Sequence, residues 1–221
     1  MGTDVNKWTD FGPIDIVHCF HNAFRRDFLE IDEATLIAAR NGGDFTPILN
    51  RLKITGENLD YHARGEEEAV FPAVEKVAPL IAKTYITDHR ELDDMVAGLG
   101  VMSAATDPIV VARATAVLRS HLRIHLYKED TYLYPTLREK TGLDEQVSIV
   151  GVMARSVPQE KTPIFVRWLF PLLGQDDRVI LIKGWMNLMP PQVFSGLKPL
   201  IRGAVDKDWV ELTRRVPGLA Y

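Results

Sequence analysis

Apolar residues recur at three- and four-residue spacing through most of the first 140 positions, and proline and glycine mark where each run starts and stops. Ile16, Phe20, Phe24, Phe28 and Ile31 form one stripe of a segment that opens after Gly12-Pro13 and closes at Asn41-Gly42-Gly43. That pattern predicts an amphipathic helix stopped by glycine. Thr46-Pro47 supplies a cap and a first-turn proline for a second helix, which carries Leu52, Leu59, His62 and Phe71 towards Val77. Pro72 falls inside that run and should kink or loosen it locally. A third helix is expected from about Pro79 to Met102. Asp107-Pro108 repeats the cap-and-proline start for a fourth, which carries Val111, Leu118, His121, His125 and Leu133, bends at Pro135 and ends before Gly142. Four helices with short connections predict an all-α protein built on an up-down-up-down four-helix bundle.

Beyond the bundle the character changes. The stretch from about residue 142 to Tyr221 holds seven prolines, no histidine and the tryptophans Trp168, Trp185 and Trp209. Segments such as FVRWLFPLL and DRVILIKGWMNLM are short, strongly apolar and separated by Pro or Gly, so they read as several short helices. The expected organisation is a bundle over 12–141 and an α-helical extension over 142–221 packed on it, with no low-complexity linker between them. The tryptophans read most simply as core or interface aromatics. A lid or an oligomer contact, including a homodimer, is the sharper alternative.

Composition narrows the function classes. A net charge of -4 with a pI near 5.9, and no basic run, argues against a nucleic-acid partner. The single cysteine, Cys19, excludes an internal disulfide framework and fits a reducing compartment. No apolar window is long enough to cross a membrane, and MGTDVNKWTDFGP carries no apolar signal core. A cytoplasmic location is the resulting expectation.

The chemistry concentrates in a repeated motif. HARGEEEAVFP contains His62, Glu66 and Pro72; HLYKEDTYLYP contains His125, Glu129 and Pro135. Residues i and i+4 share a helix face, so each copy offers an imidazole and a carboxylate to one place. On exposed helices such pairs are worth only about 0.2–0.5 kcal/mol and imply nothing more. The repetition with the same downstream aromatic-proline argues for ligation instead. All six histidines fall between His18 and His125, with at least one on each predicted helix: His18 and His21, then His62, then His89, then His121 and His125. Nitrogen and carboxylate donors without thiolates favour a non-haem iron pair over structural zinc.

These four segments resemble the hemerythrin-like family, also called the HHE cation-binding domain. The resemblance rests on HNAFRRDF from His21, HARGEEEAVFP, DHRELDDM with His89, and HLYKEDTYLYP, in that order over roughly residues 12–141. It implies a bundle holding two non-haem irons joined by an oxo or hydroxo bridge and by Glu66 and Glu129, with His21, His62, His89 and His125 as further ligands. His18 and His121 share faces with His21 and His125. Each is a candidate fifth histidine or a residue that fixes a ligand from behind.

Tyr85 and Asp93, four residues either side of His89, are minor candidates for a phenolate or an added carboxylate. Glu67 and Glu68 read as a solvated face or partners of Arg64. Cys19 reads as a small buried hydrophobe. A site of this kind binds or reacts with a small ligand such as O2, hydrogen peroxide or nitric oxide. Peroxidase, catalase-like or other oxidoreductase activity follows if it turns over, and no catalytic residue can be singled out. The alternatives are an iron- or oxygen-responsive sensor, and an oxygenase-type enzyme whose C-terminal region closes a pocket.

Overall fold

The computed structural model describes residue 8 and residues 11–220. Most of the polar stretch MGTDVNKWTDFGP, on which the expectation of no signal segment rests, lies outside the described residues. Every regular element among the described residues is helical, so the protein is an all-α helical bundle with additional short helices. No helix among them is long and apolar enough to cross a membrane. The chain forms two compact units: Phe24–Leu137, and the residues up to Ala23 together with Arg138 onwards. Both boundaries between these units fall within helices, Val17–Asn41 and Tyr134–Lys140.

The Phe24–Leu137 unit holds most of α1 (Val17–Asn41), then α2 (Thr46–Gly65), α3 (Phe71–Val77), α4 (Ala82–Gly100), α5 (Pro108–Lys128) and the start of α6 (Tyr134–Lys140). The expected second and fourth helices are each interrupted by a π turn, Glu66–Val70 and Glu129–Leu133. In each, the closing N–H reaches back five residues, from Phe71 to the Glu66 carbonyl and from Tyr134 to the Glu129 carbonyl. Pro72 and Pro135 come next in the chain. Proline lacks the N–H of a regular turn, and its ring collides with the carbonyl four residues back. The widened turn ahead of it relieves that collision, so the loosening expected at each proline takes the form of one π turn.

Phe24, Phe28, Ile31, Leu118, Leu122 and Leu126 are almost wholly buried in the bundle. Each such side chain contributes on the order of 1.5–3 kcal/mol through removal from water. Helices α2 and α4 pack closely at Gly56, where an added Cβ would lie 2.9 Å from Val96 Cγ1. Asp107 caps α5, its Oδ1 accepting the Ile109 N–H at 2.8 Å. Asp27, fully buried on α1, accepts from Arg51 Nε at 2.6 Å and from Thr55 Oγ1 at 2.5 Å. A buried carboxylate needs such donors.

The other unit contains a 3-10 turn, Pro13–Ile16, the first residues of α1, and α7 (Leu143–Met153), α8 (Thr162–Leu172), α9 (Gln175–Leu188), α10 (Pro191–Val205) and α11 (Trp209–Arg215). Here α8 packs on α10, and the 3-10 turn packs on α7 and α9. Gly184 of α9 lies under Ile16, where a Cβ would meet Ile16 Cγ2 at 2.5 Å. Trp168 and Trp185 are core residues, and Trp209 is half-buried with the Arg202 guanidinium over its ring. Cys19 is buried and donates to the Asp177 carbonyl at 3.4 Å. Burial, reinforced by Asp177, raises its thiol pKa far above the usual range, so it behaves as the small inert group expected.

Candidate metal centre

Two helix ends and one helix middle meet in the interior of the Phe24–Leu137 unit. His62 stands in the last turn of α2, and Glu66 is the first residue of the π turn that follows. His125 and Glu129 repeat this arrangement at the end of α5. The antiparallel α4 brings in His89. His62 Nε2 lies 3.2 Å from Glu66 Oε1, His89 Nε2 lies 3.3 Å from Glu66 Oε2, and His125 Nε2 lies 3.2 Å from Glu129 Oε1.

Ligand atoms from Glu66, His89, His125 and Glu129 all fall within 4.8 Å of one another, and so do those from His62, Glu66 and Glu129. Donors about 2.1 Å from one ion stand roughly 3 Å apart at right angles and about 4 Å apart when opposed. The imidazole–carboxylate spacings of 3.2–3.3 Å fall in that range. Glu66 and Glu129 are 0 % exposed and His89 2 %, so any carboxylate charge here is balanced within the protein or by a cation.

Each of two imidazoles is held from behind by a carboxylate. His89 Nδ1 lies 3.1 Å from Glu67 Oε1, and Arg90 donates to Glu67 Oε2 at 2.7 Å. His125 Nδ1 lies 3.2 Å from Asp88 Oδ2, which also pairs closely with Lys128. A carboxylate on Nδ1 fixes the proton there and leaves Nε2 to face inward as a donor of electrons. Burial disfavours charge on His125, yet Glu129 and Asp88 outweigh it and lift the pKa to about 10. His89 is raised in the same way, with Glu66 overcoming burial. Without a cation, then, His89 and His125 hold a proton more tightly than a free imidazole does.

Aromatic rings fill the remaining space. Phe24 lies 5.4 Å from the His62 ring and Phe71 5.0 Å from the His89 ring, centroid to centroid. Tyr134, buried, donates to Glu66 Oε1 at 2.5 Å; burial and the neighbouring Glu66 keep it a neutral phenol. Tyr85 sits 6.2 Å from the His125 ring and donates to the Lys128 carbonyl at 3.2 Å. Burial and Glu129 push its pKa up to about 12, so it too remains a phenol. A small cavity opens beside the cluster, lined by His62, Glu66, His89 and His125, by Leu59, Leu92 and Leu126, and by Asp93 near its rim.

The structure thus gathers His62, Glu66, His89, His125 and Glu129. His21 is fully buried on α1. His18 is exposed. His121 is exposed as well, one turn before His125, with its Nδ1 3.3 Å from the Val117 carbonyl. Asp93 is 48 % exposed and pairs with Arg90. The expected pairing of Glu67 with Arg64 is corrected: Arg64 pairs with Asp60 at 2.6 Å, and Glu67 turns inward to His89. Sequence reading missed Asp88 and Tyr134. Both adjoin motif positions, Asp88 preceding His89 and Tyr134 preceding Pro135, but only the packing reveals whom they face.

This helical bundle gathers in its interior three imidazoles and two carboxylates at a spacing that could hold a metal ion. Its curated relatives are plant proteins. The chain is 26% identical over 191 residues to a BRUTUS-like zinc finger protein of Arabidopsis thaliana, covering 78% of this chain and 15% of that protein. It is 26% identical over 175 residues to zinc finger protein BRUTUS of the same plant, covering 76% of this chain and 14% of that protein. The chain therefore spans a small fraction of the relatives it matches. The covered share exceeds what residues 1–141 make up, so the likeness runs into the C-terminal helices. A zinc finger holds its ion with two to four cysteine thiolates, the remaining ligands being histidines. With a single cysteine, this chain cannot form such a set. No family model and no solved structure matches.

Proposed function

We propose that this chain is a hemerythrin-like iron protein, in which a non-haem iron pair is held by His62, Glu66, His89, His125 and Glu129, with His21 retained as a ligand on the resemblance. The observation that carries the reading is the meeting of both H-x-x-x-E pairs with His89 in one buried cluster. Carboxylate and imidazole donors suit iron, and a carboxylate with two oxygens can join two ions. When bound, iron would supply a site for a small ligand, namely O2, hydrogen peroxide or nitric oxide.

This chain's own residues prepare that site. Glu67 and Asp88 orient the imidazoles, Tyr134 holds Glu66, and the leucines of the cavity keep bulk water from the cluster. The cavity has room for about one water-sized molecule, about 10 Å3, too little for an organic ligand. That favours a diatomic or peroxide ligand over the oxygenase alternative.

Elemental analysis of the purified chain, with ultraviolet and visible spectra before and after peroxide, tests the proposal. About two irons per chain with charge-transfer absorption that peroxide perturbs is the expected result. A chain that binds no iron under reducing, anaerobic loading would refute it.

A further inference from the structure

Just before the proline, the two motif copies differ by one hydroxyl. HARGEEEAVFP and HLYKEDTYLYP align residue for residue, and the position before the proline is Phe71 in one and Tyr134 in the other. Phe71 packs on the His89 ring. Tyr134, 5% exposed, crosses to the carboxylate of the other copy and donates to Glu66 Oε1 at 2.5 Å. Glu66 presents its two oxygens to different histidines, Oε1 to His62 at 3.2 Å and Oε2 to His89 at 3.3 Å. The tyrosine therefore engages only the oxygen on the His62 side. A hydrogen bond donated to a carboxylate oxygen draws charge from it and competes with a cation there.

We propose that Tyr134 is a positioning residue that sets Glu66 between two cation positions and makes them unequal. The position shared by Glu66 Oε2, His89, His125 and Glu129 is the tighter one; the position beside His62 and Glu66 Oε1 is the weaker and exchangeable one. Metal then loads in two separate steps, and the His62 side empties first. This inference rests on the metal-binding reading above and deepens it. A tyrosine that merely satisfied a buried oxygen would leave the spacing of the two steps unchanged.

The test is an anaerobic titration of the full chain with cobalt(II), followed by calorimetry and by d–d absorption, for wild type, Tyr134→Phe and His62→Ala. Wild type should show two separated binding steps. Phenylalanine keeps the ring and removes the hydroxyl, so the second step should tighten by about tenfold while the first constant and the total of two metals persist. His62→Ala should abolish the second step and spare the first, giving a check that does not depend on the behaviour of the tyrosine variant. Equal steps in wild type, an unchanged separation in Tyr134→Phe, or loss of the first step in His62→Ala each overturn the inference while leaving metal binding intact. A wild-type chain that takes up neither cobalt nor iron overturns both.

Discussion

At the scale of single residues, the centre depends as much on the groups behind the imidazoles as on the imidazoles themselves. Glu67 and Asp88 hold the Nδ1 atoms of His89 and His125. Their amide variants keep the size but lose the charge that orients and enriches the ring. Glu67→Gln and Asp88→Asn should each lower iron affinity by about 10–100-fold, measured by competition against a chelator, without loss of helix content.

The pH dependence follows from His125. Its folded pKa, about 10, stands above the ordinary 6.5, so in the metal-free protein its stabilising contribution is full below about 6.5 and is lost as pH rises through 10. Metal affinity runs the opposite way, because the proton must leave before a cation binds. Metal-free thermal stability should fall from pH 7 to 10 while apparent iron affinity rises from pH 6 to 9. A flat affinity profile would contradict the proton load argued for the cluster. The paired histidines and glutamates of the cluster were legible in the sequence because i and i+4 spacing is a property of the helix itself. Asp88, Glu67 and Tyr134 were not, because helical phase says which face a side chain leaves from and not which neighbour it meets.

At the scale of elements, caps and close approaches hold the site in register. Replacing Asp107 by Ala removes the acceptor for the Ile109 N–H and should cost about 0.5–2 kcal/mol, read as a fall of a few degrees in Tm. Gly56→Ala puts a methyl 2.9 Å from Val96 Cγ1, so the Val96 side chain or the α2–α4 packing must shift. The expected destabilisation is about 1–3 kcal/mol. Because α2 carries His62 and α4 carries His89, metal affinity should fall with it, and a variant that loses stability but keeps wild-type iron affinity would show the site to be insensitive to that spacing. Helix starts near Thr46-Pro47 and Asp107-Pro108 were readable as local signals, but only Asp107 caps with its side chain; Thr46 is already helical and the cap position of α2 is Phe45, with no side-chain cap. The two π turns were foreseen only as a kink, because proline says that a regular turn must fail there and the surrounding packing selects how.

At the scale of the whole molecule, the residues up to Ala23 group in one compact unit with Arg138 onwards. Ile14, Ile16 and Val17 are 1–2 % exposed, and the turn that carries Ile14 and Ile16 packs on α7 and α9. A fragment limited to residues 12–141 would leave those side chains without these partners. It should unfold at lower temperature than the full chain and bind more of a hydrophobic dye such as ANS. An equally stable fragment would restore 12–141 as an autonomous unit.

By itself the sequence determined the helices, the Asp107 cap, and the histidines and glutamates that share a face, because these follow from periodicities of 3.6 residues and from local hydrogen bonding. Only the tertiary structure decided that Tyr134 reaches Glu66 and that Glu67 turns in to His89 while Arg64 pairs elsewhere. It also decided that the chain's first described helix begins in one compact unit and continues into the other. Each of these is a contact between residues distant in the chain or facing across helices, and such contacts are set by packing volume and charge pairing in three dimensions.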